Sequence, residues 1–171
     1  IKITDLPSIC KKNKIKAMAL CDSHNLCGAL EFSEAISKSG TQPIIGTQIN
    51  IKHKGDNLGK VPLFAKNLQG YKNLIKLSSK SFIEIEENEI PHCTITDIQN
   101  NFEGIILLTG SVDGLFGQLH VKNLTDEITI LLNQLKKKFK NNIYIEIQRH
   151  NDIREKTYEK FLLTISKKLD L

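Results

Sequence analysis

Apolar residues along the chain follow two alternating spacings. Short continuous or alternating runs, typical of strands, are separated by stretches with apolar residues three or four positions apart, typical of helices. Helices are predicted for Asp5 to Asn13, Asn25 to Ser39, from Gln69 onward, from Thr94 or Thr96 to about Asn101, from a cap at Asn123, and for Asp152 to Leu169. Strands are predicted for Ile15 to Cys21, Pro43 to Ile51, Val61 to Ala65, Gly104 to Thr109 and Ile143 to Ile147. This alternation favours parallel pairing in an α/β barrel or a doubly wound sheet.

The same pattern predicts which side chains are buried. Val61 to Ala65 is expected to return as a hairpin partner, with His53 exposed to solvent on the preceding turn. In the helix that begins at Gln69, Ile75 is expected to face inward together with Leu74, Leu77 and Ser78. The last helix is expected to bury Ile153, Phe161, Leu162, Ile165 and Leu169.

The composition is that of an ordinary globular domain. The chain has 171 residues, 40% of them hydrophobic and 25% charged, which suits one domain with a substantial core. No apolar run approaches the ~20 residues that span a bilayer, and no signal peptide is visible. The four cysteines show no CxxC spacing, so a cytoplasmic protein with reduced thiols is expected.

A net charge of +5 is compatible with a nucleic-acid neighbour, because lysines gain binding energy by displacing counterions from phosphate. The lysines are spread along the chain, however. The densest group, Lys136 to Lys140, falls at the end of a predicted helix, where cations complement the helix dipole. Charge alone therefore does not indicate a nucleic-acid-binding function.

Polar residues cluster where the predicted strands end. The first strand leads into Asp22, Ser23 and His24, and Gln48, Ser111 and His150 accompany later strands. In a barrel these ends converge on one face, where catalytic groups are placed. A metal-dependent hydrolase would use His and carboxylate ligands there. Gln and Ser are poor ligands for zinc or manganese, which weakens that interpretation.

A Ser–His–Asp triad built from Asp22, Ser23 and His24 is a further alternative. Three adjacent residues on one turn rarely converge as nucleophile, base and orienting group, and no GxSxG motif is present. His92 and His120 have no acidic partner nearby in sequence, and no functional role is predicted for them.

Four stretches of the sequence resemble one known family. In chain order they read ALCDSHNLCGALEF, GTQPIIGTQINI, LFAKNLQGYKNLIKLSS and YIEIQRH, and together they span nearly the whole chain. Each resembles a segment of the polymerase and histidinol phosphatase (PHP) domain found at the N-terminus of bacterial replicative DNA polymerase III alpha subunits. Single motifs of this kind would be weak evidence, whereas four in family order are specific.

The resemblance implies a distorted seven-stranded α/β barrel similar to a TIM barrel, formed by residues 1–171 as a single domain. The chain starts inside an apparent helix and stops after another, so a barrel truncated at both ends within a longer polymerase chain is expected. Some members of the family hold three metal ions and hydrolyse phosphodiesters. In many others the metal site has decayed, and the domain is a scaffold that docks a separate proofreading exonuclease subunit.

The resemblance also implies that the metal site is incomplete in this chain. Asp22 and His150 match family ligands, but Ser23 stands where a His is expected, and His24 lies one residue too late. Three further ligand positions hold Gln48, Lys60 and Ser111 in place of Glu, His and Cys. No catalytic residue, functional metal site or cofactor is therefore expected, and Asp22 and His150 are interpreted as remnants.

The leading hypothesis is a non-catalytic PHP domain within a DNA-directed DNA polymerase, a nucleotidyltransferase, located in the cytoplasm. Its expected partners are the rest of the polymerase chain, the exonuclease subunit and other replicase subunits, with DNA nearby and no membrane. The alternative is an active phosphoesterase or 3′–5′ exonuclease that binds zinc or manganese through Asp22, His24 and His150. A third hypothesis is a DNA-contacting module that uses the basic surface.

Overall fold

The computed structural model describes residues 2–55 and 57–171, and its six strands form one mixed sheet. The strands lie side by side in the order β1, β2, β3, β5, β6, and β4 pairs with the end of β2. Their bounds are β1 Ala17–Ser23, β2 Gln42–His53, β3 Asn57–Ala65, β4 Cys93–Thr94, β5 Ile105–Leu108 and β6 Ile143–Tyr144. All the predicted strands are present, although β6 is shorter than predicted.

Seven α-helices connect or flank these strands in the described part of the chain. They are α1 Leu6–Lys12, α2 Ala29–Ser37, α3 Leu68–Ile83, α4 Ile95–Asn100, α5 Leu115–Val121, α6 Thr125–Phe139 and α7 Glu155–Leu169. Of the two threonines predicted to cap α4, Thr94 does so, in a reciprocal capping box with Asp97. Asn123 is not the cap of α6, because Leu124 occupies that position without a side-chain hydrogen bond.

The expected pairing is only partly correct. β1 runs parallel to β2 and β6 runs parallel to β5, as predicted. β4, which the sequence did not predict, also runs parallel to β2. The predicted hairpin is confirmed, since β3 returns after a short turn and pairs antiparallel with β2. β3 is also antiparallel to β5, which the expected parallel pairing did not include. β1 and β6 lie at the two ends of the sheet and do not pair with each other. The described sheet is therefore open, and the seven-stranded barrel is not confirmed.

The helices pack on one face of the sheet. The main core joins Ile49 and Ile51 of β2, Val61 and Leu63 of β3 and Leu107 of β5 to apolar residues of α3, α5, α6 and α7. A second cluster of Cys10, Phe32 and Ile36 lies between α1, α2 and the inner side chains of β1. Side chains of paired residues share a face, so the register places Ser23, Gln48 and Pro62 together on the opposite face.

Three burial predictions are wrong. His53 is not in solvent: its side chain is only 14% exposed, and its Nε2 atom lies 3.2 Å from Glu127 Oε1 on α6. Ile75 is exposed because the buried positions of α3 run through Gly70, Asn73, Leu74, Leu77 and Ser81. Ile153 is 90% exposed because it lies in the turn before α7, where no helical face directs it inward.

His120, on α5, packs against aromatic side chains of α7. Its ring centroid lies 5.0 Å from that of Phe161 and 5.4 Å from that of Tyr158. Burial lowers the pKa of His120 below its ordinary value of 6.5, because the charged imidazolium would lose its water. The unfolded chain therefore takes up this proton at a higher pH than the folded chain does.

The free energy of unfolding should consequently fall as the pH drops from 6.5 toward the pKa of the folded state, and level off below it. In His120→Phe, which keeps an aromatic ring but cannot titrate, this part of the acid destabilisation should disappear. Urea unfolding curves at pH 7 and pH 5 measure the difference for each protein. An equal loss of stability in both proteins would contradict the assignment.

None of the helices in the described residues is long and apolar enough to cross a membrane.

Candidate functional site

A polar cleft of about 210 Å³ lies where β1, β5 and β6 end, on the face of the sheet opposite the helices. Four elements contribute to it: β2, β3, the loop after β5 and the segment after β6. The residues that line it are Gln48, Lys60, Pro62, Gly110, Ser111, Asp113, Gly114 and Gln148. Gln48 and Ser111, which the sequence placed at strand ends, therefore meet in one cavity.

The loop after β5 forms one wall of this cleft by lying close against β3. Gly110 has a φ of +77°, and a Cβ atom there would lie 3.2 Å from Pro62 Cδ. Gly114 forms a β-bridge with Lys60. Glycine thus permits both the left-handed turn and the close approach, and this approach brings Ser111 to the cleft.

Lys60 is the cationic group of the cleft. Its Nζ atom donates a hydrogen bond to Ser23 Oγ over 3.2 Å. No described carboxylate lies within ion-pair distance of this ammonium group. The carboxylate at the cleft rim, Asp113, is instead paired with Arg154, whose Nη2 atom lies 2.9 Å from Asp113 Oδ1. The positive charge of Lys60 is therefore not neutralised by a described side chain.

Asp22 points away from the cleft. It neighbours Ser23 on β1, so its side chain lies on the other face of the sheet. Its Oδ2 atom accepts a hydrogen bond of 3.4 Å from the backbone N–H of Gly28, the residue that precedes α2. Its backbone oxygen accepts a 3.0 Å bond from Thr47 Oγ1. These contacts show Asp22 supporting the start of α2.

His24 follows β1 with a left-handed backbone, at a φ of +64°. Its N–H donates to Gln48 O over 2.8 Å, and its carbonyl oxygen accepts a 3.0 Å bond from Ser78 Oγ. Its Nδ1 atom is buried and has no hydrogen-bond partner among the described residues. Burial, and next the positive charge of Lys60, lower the pKa of His24, so its imidazole is neutral at pH 7.

His150 lies in the exposed loop before α7. Its backbone N–H donates to Glu155 Oε2 over 2.7 Å, and the N–H of Asp152 donates to the same oxygen over 3.3 Å. The loop is thus fixed by Glu155 through the backbone, and the side chain of His150 does not line the cleft. Asp22, His24 and His150 are therefore not brought together, in the described part of the chain, as a set that could hold a metal ion.

Sequence reasoning missed Gln148 and Glu146. Gln148 lines the cleft, and its Nε2 donates to Glu146 Oε1 over 2.5 Å. The alternating pattern that continues after β6 was the available signal for these two residues, since it directs every second residue to the cleft face.

Cys21, on β1, has a thiol that stays protonated. Burial, and next the negative charges of Glu146 and Asp22, raise its pKa to about 11.

The residues around the cleft do not fit a divalent metal ion. They offer amide and hydroxyl oxygens, an ammonium group and one carboxylate, that of Asp113, which is paired with Arg154. Zinc and manganese bind sets of imidazole, carboxylate or thiolate ligands. Within residues 2–55 and 57–171, no three His, Cys, Asp or Glu side chains come close enough together to hold a metal. Four of the positions that the resemblance assigns to ligands, namely Ser23, Gln48, Lys60 and Ser111, are at this cleft.

Comparisons with known proteins agree on one family. The PHP domain model matches residues 1–150. DNA polymerase III subunit alpha of Rickettsia bellii is 34% identical over 170 residues, covering 99% of this chain and 14% of the relative. That of Borreliella burgdorferi is 36% identical over 159 residues, covering 87% of this chain and 14% of the relative. The chain thus spans about a seventh of the length of these relatives.

A solved structure shares the fold. It is the crystal structure of a candidate metal-dependent phosphoesterase from Bifidobacterium adolescentis, with a TM-score of 0.58 over 99% of this chain and 79% of that one, at 13% sequence identity. At this identity the likeness concerns the fold. Since the family model covers most of the 171 residues and the polymerase relatives align along nearly all of them, the chain belongs to the PHP domain family.

Proposed function

We propose that this chain is the PHP domain of a bacterial DNA polymerase III alpha subunit and that it is a non-catalytic scaffold. Relatives that carry this name align with 87% to 99% of the chain, which supports a place in such a polymerase. Nucleotidyl transfer would then belong to other parts of the polymerase. The chain supplies a helix-covered sheet whose cleft lacks the side chains of a metal hydrolase.

The observation that carries this proposal is the position of Lys60. Its ammonium group is hydrogen-bonded to Ser23, at the place where the resemblance puts metal ligands. Two like unit charges about 4 Å apart repel by about 4 kcal/mol at an effective dielectric constant near 20, and a divalent ion doubles this repulsion. The positive charge of Lys60 therefore lowers the affinity for a metal ion more than the simple absence of a neutral ligand at this position would.

The proposed partners follow from this placement. They are the remainder of the polymerase chain, the proofreading exonuclease subunit and other replicase subunits in the cytoplasm, with DNA nearby. The edges of the open sheet, β1 and β6, are where the seven-stranded barrel of the resemblance would be completed. Binding of the purified exonuclease subunit to this chain, measured by calorimetry, tests the docking role. A titration that shows no binding heat would contradict that role.

Metal content and nuclease activity test the non-catalytic role. We expect less than stoichiometric manganese or zinc after purification, and no manganese-stimulated cleavage of single-stranded DNA. Cleavage that is lost in Asp22→Ala would overturn the proposal and favour the phosphoesterase with Asp22, His24 and His150 as ligands. Because Asp22 also supports α2, His150→Ala, at an exposed side chain, provides a second test that does not disturb packing.

A further inference from the structure

Lysines from three separate segments meet at the end of the sheet opposite the cleft. This is the end where β5 and β6 begin and β3 stops. Lys66 follows β3, and its Nζ atom donates to Asn142 Oδ1 over 3.1 Å. The last turn of α6 lies beside that of α7, because Lys136 Nζ donates to the backbone oxygen of Asp170 over 2.8 Å. The structure therefore joins lysines that are far apart in the sequence.

This group of lysines carries the net charge of the molecule. We call it the basic end, and its members are Lys66, Lys136, Lys137, Lys138, Lys140, Lys167 and Lys168. Two carboxylates accompany them, that of Asp170 and that of Glu103, which neighbours the Phe102 ring under Lys138. Seven lysines and two carboxylates leave a local charge of +5. Because the chain has 24 Lys and Arg and 19 Asp and Glu residues, the remainder holds 17 of each and is neutral.

Helix dipoles explain only part of this charge. Lys136 stabilises the C-terminus of α7 directly, since it donates to the backbone oxygens of Leu169 and Asp170. Each helix C-terminus carries about half a negative elementary charge, so the ends of α6 and α7 together offset about one lysine. The other six lysines are exposed. A surplus of positive charge therefore faces the solvent at this end of the molecule.

An open groove of about 480 Å³ at the basic end indicates the kind of ligand. It is lined by Asn133, Lys136, Lys137, Lys140 and Asn141. The described residues that line it include no aromatic or aliphatic side chain, whereas protein interfaces centre on apolar anchors and are depleted in lysine. Single-stranded nucleic acids are held by bases that stack on aromatic rings. Ammonium and amide groups instead bind phosphate oxygens, which favours a duplex bound through its backbone.

We propose that the basic end binds the phosphate backbone of a nucleic-acid duplex without reading its sequence. Each lysine that approaches a phosphate releases counterions, so binding is weak at physiological salt and falls steeply as salt rises. This surface goes beyond the scaffold role and lies away from the cleft. Its test is also independent of that role, because metal content and nuclease activity do not enter it.

The test measures binding of a fluorescein-labelled DNA duplex to the chain by fluorescence anisotropy, at several sodium chloride concentrations and with a chelator present. At physiological salt the dissociation constant is expected to be on the order of 10⁻⁵ M. Replacing Lys137 and Lys140 together by glutamine should weaken binding at low salt at least about 10-fold and reduce the slope of log affinity against log salt by about 2. The pair Lys167→Gln and Lys168→Gln, in α7, should act in the same direction and gives a second measurement if the first variant does not fold.

The pair Lys11→Gln and Lys12→Gln is the matched control. It removes the same charge from exposed positions of α1, which packs near β1 at the opposite edge of the sheet, so binding should be nearly unchanged. Equal weakening by the control and by the two test variants, or affinity that does not depend on salt, would overturn the proposal. Tighter binding of polyglutamate than of the duplex would overturn it in favour of an acidic protein partner. A preference of more than about 10-fold between two duplex sequences would contradict recognition of the backbone alone.

Discussion

Replacing Gly70 with alanine is expected to destabilise the fold by about 3 kcal/mol, the upper end of what overpacking usually costs. Gly70 lies in the first turn of α3, against the backbone of Gly104 just before β5. A Cβ atom on Gly70 would lie 1.9 Å from Gly104 O and 2.5 Å from Gly104 C. These are backbone atoms, so no side-chain rotation relieves the overlap, and α3 or the loop must move.

The helix cannot move without losing its other contacts. Asn67 caps α3 by accepting a 3.0 Å bond from the N–H of Gly70, and Gly104 O already accepts a bond from Lys66 N. Leu74 and Leu77, on the same side of the helix, are completely buried in the main core. The better helix propensity of alanine, worth about 1 kcal/mol, offsets only part of the loss.

Gly40→Ala is the matched control. Gly40, unlike the helical Gly70, has a positive φ, +78°, and a Cβ atom there meets nothing within 4 Å. Its substitution should cost only the roughly 1–2 kcal/mol of left-handed backbone strain. Urea unfolding measures both variants. If Gly70→Ala is destabilised by no more than Gly40→Ala, the close approach of α3 to Gly104 is not a constraint on the fold.

The elements of this fold follow from local patterns, whereas its long-range contacts do not. Apolar residues spaced by three and four predicted the helices, because burying one face is what stabilises a helix. The exposure of His53 was predicted wrongly because its partner, Glu127, lies 74 residues away and no local pattern reveals it. β6 ends early because the N–H of Glu146 donates to the side chain of Thr109 rather than to a neighbouring strand.

For the site, sequence reasoning correctly grouped Gln48 with Ser111 and named Lys60 as a cation at a ligand position, although Gln48 lies within β2 and not at its end. It did not separate Asp22 from Ser23, although adjacent residues of a strand must face opposite sides of the sheet. It also missed Asp113, whose entry into the cleft depends on the conformation of the loop after β5, and Gln148, which the alternation continuing past β6 could have indicated. The burial of His24 Nδ1 depends on packing, which the sequence does not specify.

The second large effect is expected from rebuilding the family's ligands. In the triple variant Ser23→His, Gln48→Glu and Lys60→His, two imidazoles and a carboxylate replace a hydroxyl, an amide and an ammonium group. The three positions are neighbours on one face, since Ser23 pairs with Gln48 and contacts Lys60. Manganese and zinc should bind at least about 100-fold more tightly than to the parent chain, because altering even outer contacts of a metal ligand changes affinity about 10–100-fold.

The double variant Ser23→His and Gln48→Glu, which keeps Lys60, is the control that isolates the charge. If the ammonium group is what opposes metals, the double variant should gain much less affinity than the triple variant, because the like charge remains within hydrogen-bond distance of position 23. Calorimetric titration with manganese and circular dichroism of each folded variant provide the comparison. Equal affinity of the double and triple variants would show that Lys60 is not the obstacle. Saturable binding by the parent chain at one manganese per molecule would contradict the loss of the site altogether.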